Sequence, residues 1–248
     1  MKRLAFLLAL LLTALAAWPA LAQDTQPGFV LPDGFSGETS GYIIQLFGLL
    51  SVLAVAPGLL VMVTSFTRFV IVFSILRAGL GLQTTPANMV LVSLSLFMTF
   101  YVMSPVFDRA WQDGVQPLVQ EQIDEAEAVS RIAQPFREFM LNNVRDQDLQ
   151  LFADLARERG QDVVIDQNVD LRIVVPAFMI SEIRRGFEMG FLVVLPLLVI
   201  DLVVATVVMS MGMMMLPPSL ISLPFKILFF VMIDGWNILV GSMVRSVV

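Results

Sequence analysis

The chain has 248 residues, of which 57% are hydrophobic and 15% charged, with a formal net charge of −6 and a mean hydropathy of +0.83. A soluble domain is roughly half apolar and about a quarter charged, so too little polar surface remains here to cover a globule of this size. The absence of cysteine and histidine removes disulfides, thiolate nucleophiles, structural zinc and histidine-based acid–base chemistry, and the acidic balance without a basic tract argues against nucleic acid as a partner.

Met1-Lys2-Arg3 opens the chain with positive charge, Leu4 to Ala17 is apolar, and Ala20-Leu21-Ala22 stands before Gln23. This is the pattern of a secretory signal peptide cleaved between Ala22 and Gln23. The apolar run is short for a retained span, which needs about 20 residues to cross ~30 Å of hydrocarbon. Residues 23–40, rich in Gly, Pro and Asp, read as a flexible lead-in.

No residue from Thr39 to Thr67 is charged, and Pro57-Gly58 falls within that run, where proline removes a backbone donor and bends a helix. A second uncharged run extends from Ala78 to Phe107. Thr84-Thr85-Pro86 predicts its helix start, with threonine capping and proline in the first turn. Residues 41–107 therefore read as a helical hairpin, with Arg68 and Arg77 near its turn.

From Asp108 to Arg172 the chain carries fourteen acids and seven arginines but no lysine. Ile132, Phe136, Phe139 and Met140 recur at helical spacing, so 108–175 is predicted as an extramembrane segment containing an amphipathic helix. The remainder, 176–248, is apolar again, with spans predicted over Phe187–Met215 and Ser219–Val240 and a forced break at Pro217-Pro218. The predicted fold class is all-α: an integral membrane protein of two apolar helical hairpins separated by a polar helical insert.

Charged groups at bilayer depth cost at least a few kcal/mol each and mark interiors or pathways. Glu182 and Arg185 are three residues apart and Arg184 and Glu188 four, so each pair can meet on a helix surface or pair between subunits. Asp201 lies fifteen residues before Leu216 and Asp234 sixteen after Pro218, which would set them level in an antiparallel hairpin. Level intramembrane aspartates suggest an aspartyl protease. The glycine-flanked aspartate motif of such proteases is missing, and each carboxylate can instead take a neighbouring donor such as Trp236 or Asn237. By the same count Lys226 is level with Met209, about 10 Å from Asp201, and is expected to find its partner elsewhere, on another subunit, lipid or channel water.

Met209, Met211, Met213, Met214 and Met215 crowd five of fifteen methionines into seven positions at the predicted break, with Ser210 and Gly212 between them. Methionine is unbranched and polarizable and repacks against many shapes. Irregular backbone at membrane depth survives only when buried in protein or lining a cavity. A deformable apolar collar around a pore satisfies both conditions. An ion channel or small-solute transporter is the competing reading, although such transporters often show inverted repeats and no repeat relates the two halves.

The stretches "PAFMISEIRRGFEMGFLVVLPLLVIDLVVATVVMSMGMMMLPP" and "SLPFKILFFVMIDGWNILVGSMV", with "TSFTRFVIVFSILRAGLGLQTTPANMVL" in the first hairpin, closely resemble the FliP family of flagellar type III export-gate proteins. The resemblance is densest over residues 176–244. It implies a homo-oligomer in the bacterial inner membrane and flagellar basal body, assembled with FliQ-type and FliR-type gate proteins and working with FlhA-type and FlhB-type export proteins. Unfolded flagellar subunits would pass through its channel, with no catalytic residue, metal or cofactor of its own. It also implies that Met209, Met211, Met213, Met214 and Met215 form a gasket closing the channel, and that Glu182, Arg184, Arg185, Glu188, Asp201, Lys226 and Asp234 lie at subunit contacts or in the interior.

Overall fold

The computed structural model describes residues 58–82, 84–212 and 217–247, with a few positions between 46 and 55. The signal peptide with its Ala22–Gln23 cleavage point, the lead-in, and Met213, Met214 and Met215 lie outside the described residues. The helices from Phe66 onward belong to one compact unit, Val55–Val248.

Every regular element among the described residues is helical. Helix α1, Phe66–Gly79, is the centre of the apolar core, with Phe69, Val72 and Phe73 fully enclosed. It ends at Leu80-Gly81, where Gly81 takes φ +79° and Leu82 N donates back to Arg77 O at 3.1 Å. This is the glycine-reversed ending that satisfies the last free carbonyls of a helix.

Helix α2 spans Asn88–Ala110. The Thr84-Thr85-Pro86 start is therefore displaced: the cap is Ala87, and no side chain bonds to the first turn. Pro105 lies inside α2 and leaves Tyr101 O without its usual backbone donor, and the Ser104 hydroxyl fills that place at 3.0 Å. The onset of polarity at Asp108 does not end the helix. It continues through a π-helical turn at Trp111–Val115 into α3, Gln116–Val119.

Helix α4, Glu125–Asn143, is capped by Asp124, whose carboxylate accepts from Glu127 N at 2.7 Å. Its apolar face turns back on the membrane-type helices. Phe136 meets Phe107 of α2 edge-on at 5.8 Å between ring centroids, and Met140 is buried. Helix α5 spans Asp146–Glu158. Together α4, α5 and the start of the next helix bury Met140, Leu149, Val174 and Phe178 in a second core. The acidic stretch is thus packed onto the apolar helices by an apolar face of its own.

Helix α6, Leu171–Ser210, has 40 residues. At about 1.5 Å per residue it is about 60 Å long, twice the thickness of a bilayer's hydrocarbon. Gly186 and Gly190 face α1: a Cβ at Gly186 would lie 3.1 Å from Ile71 Cβ, and one at Gly190 would lie 2.6 Å from Ile75 Cδ1. Contacts rise together along both chains, Ile71 with Gly186, Ile75 with Gly190, and Gly79 with Val194, so α1 and α6 run parallel. The small residues let the two backbones approach, as in close-packed membrane helices.

The last predicted span, Ser219–Val240, is broken in two. Helix α7, Pro218–Met232, and helix α8, Gly235–Arg245, meet at 65°. Asp234 sits in the break with φ 52°, in the left-handed region. Phe230 lies so close to Gly235 that a Cβ there would fall 2.5 Å from its ring, and Trp236 packs edge-on against Phe230 at 5.4 Å. Two helices, Asn88–Val119 and Leu171–Ser210, are each long and apolar enough to cross a membrane, and the bent α7–α8 pair can count as a third.

Candidate functional site: two ion pairs and the methionine-rich turn

Arg68 lies in the first turn of α1 and is fully enclosed. An isolated charge in such a place is prohibitively costly, so it must be paired and hydrogen-bonded. Glu182 of α6 supplies the pairing. Arg68 Nε donates to Glu182 Oε2 at 2.9 Å and Nη2 to Oε1, a two-pronged contact that matches the planar guanidinium. Arg68 Nη1 then donates to the backbone and hydroxyl oxygens of Ser246 at 2.7 and 3.0 Å. One arginine thereby ties α1, α6 and the residue just past α8.

The sequence spacing had offered Arg185 as Glu182's partner, and had placed Arg68 near a hairpin turn. Arg68 instead lies at the far end of α1 from the Leu80-Gly81 reversal, and Arg185 has no ion-pair partner among the described residues. Arg184 and Glu188 do meet, at 3.2 Å, but on an exposed face, and Glu188 also stands 3.8 Å from Arg145.

The second buried pair reverses the expectation for Lys226. Its ammonium pairs with Asp201 Oδ2 and donates to Gly79 O at 2.9 Å, while Ser222 Oγ donates to Asp201 Oδ1 at 2.5 Å. Counting from Leu216 misplaced the register. Helix α6 ends at Ser210 and α7 starts at Pro218, so Asp201 lies nine residues from its helix end and Lys226 eight from its own. Gly79 O is one of the last carbonyls of α1, where the negative end of the helix dipole favours a cation.

Asp201 and Asp234 are consequently not level. Asp234 lies eight residues beyond Lys226, about 12 Å along α7, and its carboxylate accepts from Asn237 Nδ2 at 3.2 Å. Two carboxylates engaged by separate donors at different heights do not form a pair that shares a proton.

Above the Lys226–Asp201 pair, α6 ends in the methionine cluster. Met209 and Met211 are 59% and 67% exposed, and Gly212 turns the chain with φ +75°. Only 17% of the most apolar stretch of α6 is buried within the chain, and Phe191, Leu198, Leu202 and Val203 all face outward. The chain by itself leaves this end of the molecule without an apolar cover.

Sequence reasoning missed the contributions of Arg68, Ser222, Ser246 and the Gly79 carbonyl. Arg68 carried one usable signal: a lone cation inside an apolar helix requires a partner.

The FliP family model matches residues 49–243. The chain is 68% identical over 220 residues to the flagellar biosynthetic protein FliP of Rhizobium meliloti (strain 1021), covering 89% of this chain and 90% of that protein. It is 65% identical over 236 residues to the flagellar biosynthetic protein FliP of Agrobacterium fabrum, covering 95% and 96%. Against the protein of that name from Bacillus subtilis (strain 168) the identity is 46% over 209 residues, covering 84% and 94%.

Proposed function

The chain belongs to the FliP family, and on that premise we propose that it is a core channel subunit of the flagellar type III protein export gate. It forms a homo-oligomer in the bacterial inner membrane, within the flagellar basal body and alongside FliQ-type, FliR-type, FlhA-type and FlhB-type partners. Unfolded flagellar subunits pass through the assembled channel. The secretory leader, removed between Ala22 and Gln23, sets the mature N-terminus on the outer side of the membrane.

The observation that carries this reading is the uncovered end of α6. A helix about twice the bilayer thickness leaves its most apolar stretch 83% unburied and ends in exposed Met209 and Met211 beside an irregular backbone. Such a surface requires other protein chains or lipid to cover it, and methionine adapts its shape to whatever passes. Met209, Met211, Met213, Met214 and Met215 act as the gasket. Glu182, with Arg68, and Asp201, with Lys226, hold the helices that carry it, while exposed Arg184 and Glu188 are available to neighbouring subunits.

The first test is an in-frame deletion complemented by the wild-type chain, read by blotting culture supernatants for hook and filament subunits and by swimming. Both are lost on deletion and return with the chain; persistence of both, with no duplicate gene, overturns the reading. The gasket is tested separately by serine substitutions at the five methionines, which should raise ion leakage through the membrane, whereas unchanged conductance counts against it. Asn at both Asp201 and Asp234 abolishes everything in a protease but leaves partial assembly in a gate subunit.

A further inference from the structure

A polar cavity of about 410 Å³ opens at the opposite end of the apolar helices from the methionines, lined by Arg109, Asn142, Asn143, Arg185, Arg245 and Ser246. Three helices each deliver one arginine to it at the end of an apolar run. Arg109 follows the uncharged stretch Asn88–Phe107 of α2, Arg185 precedes the apolar part of α6, and Arg245 closes the uncharged α8. The cavity therefore lies at the border where apolar helix surface gives way to charge.

Three carboxylates near it are already engaged. Glu138 pairs with Arg109 at 3.0 Å, Glu182 is held by Arg68, and Glu188 is shared between Arg184 and Arg145. Arg185 and Arg245 have no ion-pair partner among the described residues. Arg245 Nε is spent on Gly241 O at 3.0 Å and its Nη2 lies back against Gly241, while the side chain lines the cavity. Arg68 and Arg145 add their fields to that of Arg185, and Glu182 and Glu188 offset them in part. The result is positive charge in excess of its local acids, presented as guanidinium forks from separate elements.

We propose that this cavity binds a phosphoester anion, supplied by the headgroup of an anionic lipid. Guanidinium forks match phosphate geometry through paired N–H donors, and basic pockets between apolar helices at the membrane border hold anionic headgroups. Asn142 adds an amide donor at the rim. The acyl chains of such a lipid would lie along the exposed apolar faces of α2 and α6, where Phe97, Tyr101, Phe187 and Phe191 point outward. The proposal is independent of the export reading.

The test uses native mass spectrometry of the full chain in detergent, titrated with phosphatidylglycerol, with phosphatidylcholine, and with inorganic phosphate alone. Phosphatidylglycerol should remain bound where phosphatidylcholine does not. Arg185→Gln and Arg245→Gln should each weaken it by about tenfold, the worth of one charged hydrogen-bonded contact. Arg172→Gln, exposed in the first turn of α6 and outside the cavity, should leave it unchanged. Arg185→Lys and Arg245→Lys, which keep the charge, guard against misfolding and should retain part of the affinity. Equal retention by wild type and the Gln variants overturns the site. Binding of inorganic phosphate with no preference between the two lipids overturns the lipid source.

Discussion

The two buried ion pairs sit at opposite ends of the same helix bundle and are built differently. Arg68–Glu182 is fully enclosed and satisfied by two further bonds to Ser246. Lys226–Asp201 is capped by a helix carbonyl and a serine, yet the Asp201 side chain keeps 34% of its exposure. The first locks α1, α6 and the end of α8 together where the acidic helices are also packed. The second sets the α6–α7 register beneath the methionine-rich turn and leaves one side open. The end far from the turn is therefore the fixed part of the molecule, and the end that carries the methionines is held at fewer points.

That contrast can be broken most sharply at Glu182. Glu182→Gln leaves Arg68 buried and uncompensated and should destabilise the fold by about 3–5 kcal/mol, read as a lowered unfolding midpoint in detergent and reduced accumulation in cells. Replacing both partners by apolar residues, Arg68→Met with Glu182→Leu, should recover part of that loss. If the double variant is worse than the single one, the pair contributes more than mutual neutralisation. Gly190→Ala comes next. Its Cβ would meet Ile75 across the α1–α6 crossing, and overpacking of this kind costs about 1–3 kcal/mol; no change in thermal stability would mean the two helices separate easily.

Asp201→Asn should cost less, about 1–2 kcal/mol, because Lys226 keeps its bond to Gly79 O and the site is partly open. A loss as large as that of Glu182→Gln would erase the distinction between the two ends. Asp234→Asn should lie within about 0.5 kcal/mol of wild type, since asparagine also tolerates the left-handed region, whereas Asp234→Val should cost about 1–2 kcal/mol at φ 52°. A neutral valine variant would show that the α7–α8 bend does not depend on that conformation.

The helical class and the apolar stretches were legible because hydrophobic runs and amphipathic spacing are local signals. The face of α4 that carries Phe136, Phe139 and Met140 is one such case. Arg68 and Glu182 are 114 residues apart, and nothing local joins them. The Lys226–Asp201 pairing escaped for a different reason: register depends on where helices end, and apolar residues continue past Ser210 with no change in composition. The break at Asp234 was hidden inside the run "LFFVMIDGWN", where the only hints were an aspartate and a glycine. Pairing Glu182 with Arg185 followed a sound helical spacing rule, but the enclosed partner on α1 prevailed over the exposed one on the same helix.

The π-helical turn at Trp111–Val115 has a consequence for insertions and deletions. Its backbone bond spans one more residue than an α-helix requires, as in Gln116 N to Trp111 O, and it brings Gly114 into contact with Ile132 of α4. Losing a single residue there would let the segment revert to ordinary helical phase without breaking the rod. Everything beyond it would keep nearly the same azimuth relative to α2, because the wide turn already takes up the extra residue, and what would be lost is the local bulge that brings Gly114 to Ile132. A gap of one in this stretch would thus erase a bulge and leave the rod in phase, felt by α4 rather than by the helix that suffered it.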